Sequence, residues 1–428
     1  MTPRGARHNP SDFWRISALF GATDRHQEET QQMQQLGKAR GLIAIGAIAI
    51  VVGACSGGGA ATASPSTAAP ATTAPETTAP ESTAPESMAP ESSAPATGEW
   101  KIGFSNSFGI GNGFREEQLC TAKAQALVSG QVSEGTWTHQ KEETYPQLQQ
   151  LRDLIAKDVD AIVFNPLNSE SLNPALDEAQ AAGIKTVAID AFVTDPETIN
   201  LSNDQVNYGY VGAKWLFEQV GEGSVYYMRG LAGHPADDQR HEGVLKALSE
   251  HPGITLLPSN DGVATQWDPA TTTTLINEFI NSGQYADIQG IWTSGMDSQV
   301  VDAISAAGQE YVPIVGGDLK AFVGYLLNKD GQHEGLTGIA VYNPAAVGGA
   351  GVDLALRLLN GETVETGENN TVLLPVPEAW DNVSEEGKAK LEEIYVEELD
   401  NLWPVSWYIE GLTDYTFEQM QACKGPGE

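Results

Sequence analysis

The sequence DAIVFNPLNSESLNPALDEAQAAGIKTVAID, from Asp160 to Asp190, predicts one complete strand–helix–strand unit. The apolar run Ala161–Phe164 ends at Asn165-Pro166, because proline cannot continue a strand ladder and restricts the residue before it. A helix capped by Ser169 or Ser171 should follow, since apolar residues then recur at helical spacing at Leu172, Ala175, Leu176, Ala179 and Ala182. Gly183 should end this helix, and Lys185–Ile189 is the second strand.

Two buried strands joined by a helix run parallel, with the helix packed on one face of the sheet. Ligands of such sheets bind beyond the carboxyl ends of the strands. Asn165 and Asp190 occupy these ends. Either residue alone could equally be an ordinary turn residue. The remaining sequence is therefore needed to distinguish a binding residue from a turn residue.

Length and charge narrow the class of protein. The 428 residues exceed one ordinary hydrophobic core, so we expect two lobes. The formal net charge of −34 argues against a nucleic-acid partner, which requires basic patches. The three cysteines, Cys55, Cys120 and Cys423, form no CxxC or His/Cys cluster, so we expect no metal site.

The N-terminal region is predicted to be an export leader (residues 1–54). The apolar run Gly41–Ala54 follows Lys38 and Arg40, and it is short for a membrane span. It ends in VGAC, which resembles the lipobox of bacterial lipoproteins and implies lipidation of Cys55. The alternatives are a plain signal peptide or a membrane anchor. We also expect translation to start at Met33, because residues 1–32 fit no part of a signal peptide.

Residues 55–98 are predicted to be a disordered linker. They contain the repeats APETT, APEST, APESM and APESS and almost no bulky apolar side chain. Proline and repelling glutamates favour an extended chain that holds a domain away from a membrane. If Cys55 carries lipid, Cys120 and Cys423 remain, and in an exported protein we expect them to form a disulfide. Two separate buried thiols are the alternative.

The folded part begins with the strand Lys101–Ser105 and a glycine-rich loop. Gly109, Gly111 and Gly113 alternate and lack the GxGxxG spacing, so no nucleotide cofactor is expected. Beyond the loop, strands and helices alternate without long interruption, which predicts an α/β fold with parallel sheets. The predicted strand ends carry small polar or charged residues: Ser105, Asn106, Asn165, Asp190, Arg229, Ser294, Asp318, Tyr342 and Asn343.

These residue types suit a neutral, polyhydroxylated ligand. Carboxylates accept hydrogen bonds from hydroxyl groups, arginine donates, and asparagine does both. The aromatic residues Phe108, Phe114 and Trp267 can cover the apolar face of a ring. A phosphate ligand would require a run of backbone amides or a lysine, which the loops lack.

From Trp100 to about Val372 the chain resembles the type 1 periplasmic binding proteins, the ribose/galactose-binding group of ABC-importer substrate receptors. The resemblance rests on the motifs KIGFSNS, DAIVFNP, AGIKTVAID, NLSNDQVNYG, QRHEGVLKAL, IVGGD and TGIAVYNPAAVG. It implies an α/β fold of two Rossmann-like lobes with parallel sheets joined by a three-segment hinge near 203/204, 342/343 and 372/373. Lobe 1 would comprise residues 99–203 and 343–372, lobe 2 residues 204–342, and a C-terminal extension residues 373–428.

The resemblance also implies site residues. Asp190, Arg240 and Asp318 correspond to sugar-contacting positions, and Asn165 to the asparagine of an N-P motif. Two departures leave the exact sugar open: Gly317 stands where a phenylalanine is usual, and Ser294-Gly295 stands where Asn-Asp is usual. The complete set of predicted ligand-binding residues is Ser105, Asn106, Phe108, Phe114, Arg115, Asn165, Asp190, Arg240, Trp267, Ser294, Asp318 and Asn343.

The expected function is that of a monomeric, lipid-anchored receptor on the outer face of the cell membrane. It would capture a pentose, hexose (including the furanose form) or polyol and deliver it to an ABC permease, with no cofactor and no enzymatic activity. A sugar sensor feeding a chemotaxis or kinase system is the alternative. The linker argues against a repressor, and no GxSxG nucleophile motif is present. In the extension, EEGKAKLEEIYVEELD predicts an acidic helix. Aromatic residues at Trp403, Trp407 and Tyr408 are expected to pack on a lobe, or alternatively to form a partner surface.

Overall fold

The fold consists of two sheets, each covered by helices on both faces. The computed structural model describes residues 98–106, 111–139, 146–374 and 379–423. The strands are β1 (Trp100–Asn106), β2 (Val132–His139), β3 (Ala161–Asn165), β4 (Lys185–Ile189), β5 (Ile199–Ser202), β6 (Gly223–Arg229), β7 (Ile254–Leu257), β8 (Val263–Ala264), β9 (Gly290–Trp292), β10 (Ile314–Gly317), β11 (Gly338–Val341), β12 (Thr371–Leu373) and β13 (Ala379–Asp381).

The helices alternate with these strands for most of the chain. They are α1 (Gly113–Ser129), α2 (Gln147–Ile155), α3 (Asn173–Ala181), α4 (Gln205–Val220), α5 (Pro235–Glu250), α6 (Pro269–Asn281), α7 (Asp297–Ala306), α8 (Lys320–Leu326), α9 (Val347–Leu359), α10 (Glu385–Ile394) and α11 (Phe417–Gln421). Short 3-10 turns lie at Gln284–Asp287 and Glu368–Asn370.

The strand order defines the two lobes. The sheet of lobe 1 has the order β12-β5-β4-β3-β1-β2, and all its pairs are parallel. The sheet of lobe 2 has the order β13-β11-β10-β9-β6-β7, in which only the added strand β13 is antiparallel. The predicted α/β fold with parallel sheets in two lobes is confirmed.

The central strands are apolar because helices cover both their faces. All five residues of β3 and all four of β11 are buried, as expected for strands inside a parallel sheet. In lobe 1, one apolar cluster joins Phe104 and Val163 to helix α9, and a second joins Phe164 to helix α3. In lobe 2, Trp292 packs with α4 on one face, and Phe322 of α8 packs in a cluster with Ile314 of β10 on the other.

Several predicted element boundaries are wrong, for identifiable reasons. The sequence pattern predicts a helix over 243–250, but helix α5 begins at Pro235, because His234 caps it and proline suits the first turn. Helix α3 has no side-chain cap, so Ser169 and Ser171 do not play the predicted role. The acidic helix of the extension ends at Ile394, where Tyr395 turns to extended backbone.

The chain passes between the two sheets three times. One passage follows β5, and a second follows β11, since α9 packs on lobe 1. The third lies between β12 and β13, and residues 375–378 within it fall outside the described chain. The exact domain boundaries stay a prediction.

The C-terminal extension contacts both lobes. Strand β13 joins the lobe 2 sheet, and Trp403 packs against an apolar cluster centred on that lobe. Further along, Ile409 belongs to the lobe 1 core, and Gln125 of α1 accepts a hydrogen bond from the backbone N–H of Asp414. A disulfide joins Cys120 to Cys423 with their Cα atoms 5.3 Å apart. The extension therefore runs from lobe 2 to lobe 1, as a connection additional to the hinge segments.

Candidate ligand-binding cleft

A cavity lies between the lobes, at the carboxyl ends of strands from both sheets. Together with its open mouth it encloses about 500 Å³ of space. Its lining residues come from both lobes and from the extension: Asn112, Phe114, Arg115, Asp190, Tyr208, Arg240, Trp267, Ser294, Gly295, Met296, Gly317, Asp318, Leu319, Asn343 and Pro404.

Asp190 lies at the end of β4 in an unusual backbone conformation. Its φ of 67° places it in the left-handed region, which aspartate tolerates better than most side chains. Its two carboxylate oxygens are held separately: Oδ2 accepts from Asn165 Nδ2 at 3.1 Å and Oδ1 from Gln205 Nε2 at 3.1 Å. The carboxylate is thus fixed at the cavity wall by donors from both lobes.

Arg115 and Phe114 are presented by the first turn of α1. Asn112 caps this helix by accepting from Arg115 N at 3.1 Å. The guanidinium Nη1 donates to Asn106 Oδ1 at 3.1 Å. Burial and the nearby Arg240 lower the pKa of Arg115 to about 10 while Asp190 opposes the shift, so the group remains cationic at neutral pH.

Arg240 projects from α5 toward the cavity. Its Nε donates to Gln205 Oε1 at 2.7 Å and its Nη1 to Ser294 Oγ at 3.0 Å, and its guanidinium lies 4.0 Å from the Tyr208 ring centroid. These contacts on three sides orient a planar donor fork. The remaining donors of the fork are available to a ligand oxygen.

A close helix contact makes this position of Arg240 possible. A Cβ atom on Gly209 of α4 would lie 2.0 Å from the carbonyl oxygen of Arg240. A Cβ atom on Gly243 would lie equally close, 2.0 Å, to the Val206 carbonyl oxygen. The two glycines therefore let α4 and α5 approach closely enough for Gln205 and Arg240 to form their hydrogen bond.

Asp318 follows β10 and is 2 % exposed. Burial raises its pKa to about 7, and the neighbouring Ser406 hydroxyl and Asn343 amide oppose the shift. The Asn343 N–H donates to Oδ1 at 3.1 Å, whereas Oδ2 has no hydrogen-bond partner within the described chain. Asp318 therefore lines the cavity and keeps one buried oxygen without a hydrogen-bond partner in the described chain.

The two lobes touch at the edge of the cavity. Nε2 of His234 lies 3.1 Å from Nη2 of Arg115, and the His234 ring meets Trp267 edge-on with centroids 4.9 Å apart. Burial and two arginines hold the pKa of His234 well below its usual range, so the ring is neutral. Asn112 Nδ2 also reaches the Trp267 carbonyl oxygen at 3.5 Å. These contacts close the cleft around the cavity.

The structure separates the predicted site residues into three groups. Eight line the cavity: Phe114, Arg115, Asp190, Arg240, Trp267, Ser294, Asp318 and Asn343. Ser105, Asn106 and Asn165 are buried behind it and are not among the lining residues. Ser105 donates a hydrogen bond to Gln150. Asn106 accepts a hydrogen bond from Arg115, and Asn165 donates one to Asp190. Phe108 and Cys55 lie outside the described residues.

Sequence reasoning missed several residues at the cleft. Gln205 and Tyr208 lie within the motif NLSNDQVNYG but looked like ordinary helix residues, and Pro404 lies in the extension. Arg229, expected near the other strand ends, pairs instead with Asp237 at 2.6 Å. Only the tertiary packing decides whether such a residue lies at the cleft or pairs with a neighbour elsewhere.

The two departures from the family pattern have a local explanation. Gly317 lines the cavity, and a Cβ atom on it would stand in van der Waals contact with the Tyr208 hydroxyl, at 3.4 Å. Asp297 accepts from the backbone N–H groups of Gly295 and Gly317 at 3.1 and 2.9 Å and from the Thr293 hydroxyl. Asp297 therefore supports the turns that carry Ser294 and Asp318 and does not line the cavity.

Comparison with known proteins agrees with this architecture. A profile of the periplasmic binding protein domain matches residues 102–363. The chain belongs to the periplasmic binding protein family. This domain covers the two sheets with the exception of β12, β13 and the N-terminal residues of β1.

Curated relatives include several sugar- and polyol-binding proteins. The xylitol-binding protein of Mycolicibacterium smegmatis is 25 % identical over 54 % of this chain, and the match spans only 65 % of that protein. The ribose import binding protein of Escherichia coli K12 is 25 % identical over 51 % of this chain and 72 % of its own length.

Solved structures share the fold. The solute-binding protein of an ABC transporter from Thermobispora bispora superimposes with a TM-score of 0.61 at 22 % identity, over 76 % of this chain and 94 % of that chain. The arabinose-transporter binding protein from Shewanella sp. ANA-3, solved with L-arabinofuranose, gives a TM-score of 0.59 at 21 % identity. The match covers 68 % of this chain and 95 % of that chain.

Two further features concern the described residues alone. They contain no group of three or more His, Cys, Asp or Glu side chains placed to hold a metal ion. Among the helices described, none combines the length and the apolar character that crossing a membrane requires.

Proposed function

We propose that this periplasmic binding protein is the extracytoplasmic receptor of an ABC importer and captures a monosaccharide or polyol between its lobes. The observation that carries the proposal is the cavity itself, in which Asp190, Arg240, Asp318 and Asn343 face one space with Phe114 and Trp267. Carboxylates accept from sugar hydroxyls, the guanidinium donates to sugar oxygens, and the aromatic faces cover the C–H surface of a ring.

The expected mechanism is a ligand-dependent change in the lobe equilibrium. Arg240 and Asp318 belong to lobe 2, while Asp190 and Arg115 belong to lobe 1, so a ligand that contacts all four bridges the lobes. Such a ligand stabilises the closed form, because only that form offers both half-sites at once. An ABC permease would then recognise the closed form.

The location of the protein is the second part of the proposal. An exported chain that is lipidated at Cys55 and spaced by the linker would hold the receptor at the outer face of the membrane, as a monomer. The disulfide between Cys120 and Cys423 suits this oxidising compartment. Mass spectrometry of the membrane fraction, with a diacylglyceryl-modified Cys55 as the N-terminal residue, would test it.

A thermal-shift screen tests the ligand class. Purified protein is mixed with D-ribose, L-arabinose, D-galactose, xylitol and myo-inositol, and a ligand should raise the melting temperature by linkage. Asp190→Ala and Arg240→Ala should each abolish the shift and remain folded. Asp177→Ala, at an exposed carboxylate of α3, is the control and should respond like the wild type. A full response in both site variants would show that the ligand binds elsewhere.

A further inference from the structure

The C-terminal extension reaches the cavity directly. Pro404 is one of its lining residues, and it pairs with Leu319 as an antiparallel bridge. The next residue, Val405, donates from its N–H to the Asp318 carbonyl oxygen at 2.8 Å. The extension therefore runs alongside the segment that carries the Asp318 carboxylate.

Within the described chain, two polar atoms at this contact lack a partner in good hydrogen-bond geometry. Ser406 is 1 % exposed and Asp318 is 2 % exposed. The Ser406 hydroxyl lies beside the carboxylate and lowers its pKa. Even so, neither Ser406 Oγ nor Asp318 Oδ2 has a partner in good hydrogen-bond geometry within the described chain. Buried polar groups are rarely left unpaired, because an unmade hydrogen bond is costly.

The extension is held in place on both sides of this contact. On one side, the Leu402 carbonyl oxygen lies 2.3 Å from where a Cβ atom on Gly113 would stand, so it packs against the start of α1. On the other side, the Ser406 carbonyl accepts from Ala346 N at 3.4 Å. Ile409 and the disulfided Cys423 then anchor the chain in lobe 1. Ser406 is thus fixed relative to the cavity.

We propose that Ser406 and Asp318 together recognise one hydroxyl group of the ligand, and that the segment 404–406 of the extension forms a third wall of the site. A hydroxyl placed at this contact accepts from the Ser406 O–H and donates to Asp318 Oδ2, which satisfies both unpaired atoms. The inference rests on the proposed function, since it requires a hydroxylated ligand. It assigns a specificity role to a segment beyond the matched family domain, which ends at residue 363.

Isothermal titration calorimetry tests the role of Ser406. The ligand is whichever of D-ribose, L-arabinose, D-galactose, xylitol and myo-inositol the wild type binds most tightly. Ser406→Ala should raise its Kd about tenfold, the usual effect of losing one hydrogen bond to a polar ligand. Ser305→Ala, at an exposed position of α7, is the matched control and should leave Kd unchanged.

Monodeoxy derivatives of that ligand separate recognition from a structural role. The derivative that lacks the recognised hydroxyl should bind the wild type and Ser406→Ala with equal Kd, while the other derivatives should keep the tenfold difference. A uniform loss across all derivatives, or no loss at all, would overturn the inference and leave the proposed function intact. Failure of the wild type to bind any member of the panel would overturn both.

Discussion

At the scale of single residues, burial raises the pKa of three carboxyl groups in or near the cleft. Asp318 has a pKa raised to about 7 and Asp297 to about 6. Glu117 of α1 is fully buried, has no hydrogen-bond partner within the described chain, and has its pKa raised well above 4.5 by burial and by Asp318. A ligand that contacts Asp318 therefore meets a carboxyl group that can still change its protonation state near neutral pH.

This shift predicts how the stability of the ligand-free protein depends on pH. The folded protein keeps the Asp318 proton up to a pH of about 7, whereas the unfolded chain releases it near 4. The folded state therefore binds more protons between these values, and the free energy of unfolding falls as the pH rises through them. The free energy of unfolding can be measured by urea titration from pH 4.5 to 8. Over this range the value for Asp318→Asn should rise by about 1–4 kcal/mol relative to that of the wild type, because only the wild type loses the Asp318 proton.

The control for this titration is Asp177→Asn, at an exposed carboxylate far from the cavity. Its stability difference from the wild type should stay constant across the same pH range. If Asp318→Asn behaved in the same way, Asp318 would be ionised throughout the range and its burial would not control its protonation.

The predicted site residues lie at the cavity where a polar residue type coincides with the end of a strand. Asp190, Asp318 and Asn343 follow strands of parallel sheets, and all three line the cavity. The supporting roles of Asn106 and Asn165 were not predictable. An asparagine at a strand end can face the ligand or its neighbours, and only the positions of Arg115 and Asp190 decide between these.

At the scale of elements, helix α5 joins the two lobes through its first residues. His234 caps the helix by accepting from Ala236 N at 3.2 Å through Nδ1, and its other ring nitrogen faces Arg115 of lobe 1. The same side chain thus starts a helix and contacts the opposite lobe. Its conformation depends on both interactions.

Replacement of His234 should separate these two roles. His234→Asn keeps a capping side chain but removes the ring that touches Arg115 and Trp267. It should therefore weaken ligand binding about three- to tenfold by destabilising the closed form, with little change in the melting temperature of the ligand-free protein. His234→Ala should lose both affinity and stability. Calorimetry and thermal melts measure the two effects, and wild-type affinity in His234→Asn would rule out the contact as a closing interaction.

Elements were predictable where apolar periodicity was clear, and β4 matches its predicted bounds, Lys185–Ile189. Strand β2 and helix α2 were not predicted. Five of the eight residues of β2 are only partly buried, so as an edge strand it lacks the continuous apolar pattern of the interior strands. Strand β13 is equally hard to predict from the sequence, because it forms by pairing with β11 in a sheet built from earlier residues.

At the scale of the whole molecule, the disulfide connects residues separated by 303 positions and holds the extension on lobe 1. Closing so long a loop reduces the entropy of the unfolded chain, which raises the free energy of that state by about 6 kcal/mol in the simple chain model. The extension contacts lobe 2 and the cavity before it reaches Cys423. Its attachment therefore supports the overall stability and the position of the segment 404–406.

Removal of both cysteines tests this connection. Cys120→Ser combined with Cys423→Ser should lower the free energy of unfolding by about 2–5 kcal/mol, as measured by urea denaturation under non-reducing conditions. The wild type treated with a reductant should show the same loss. Equal masses of the wild type alkylated before and after reduction would contradict the pairing itself.

The amino-acid sequence by itself determined the alternation of strands and helices and the polar residues that end the strands, and it predicts a hydroxylated ligand. These follow from local periodicity and from which residue types end each strand. Tertiary structure alone decided the role of the extension, the support of Asp190 and Arg240 by Gln205, and the placement of Ser406 beside Asp318. Each of these depends on segments far apart in the chain, whose contacts arise only when two sheets and the extension pack together.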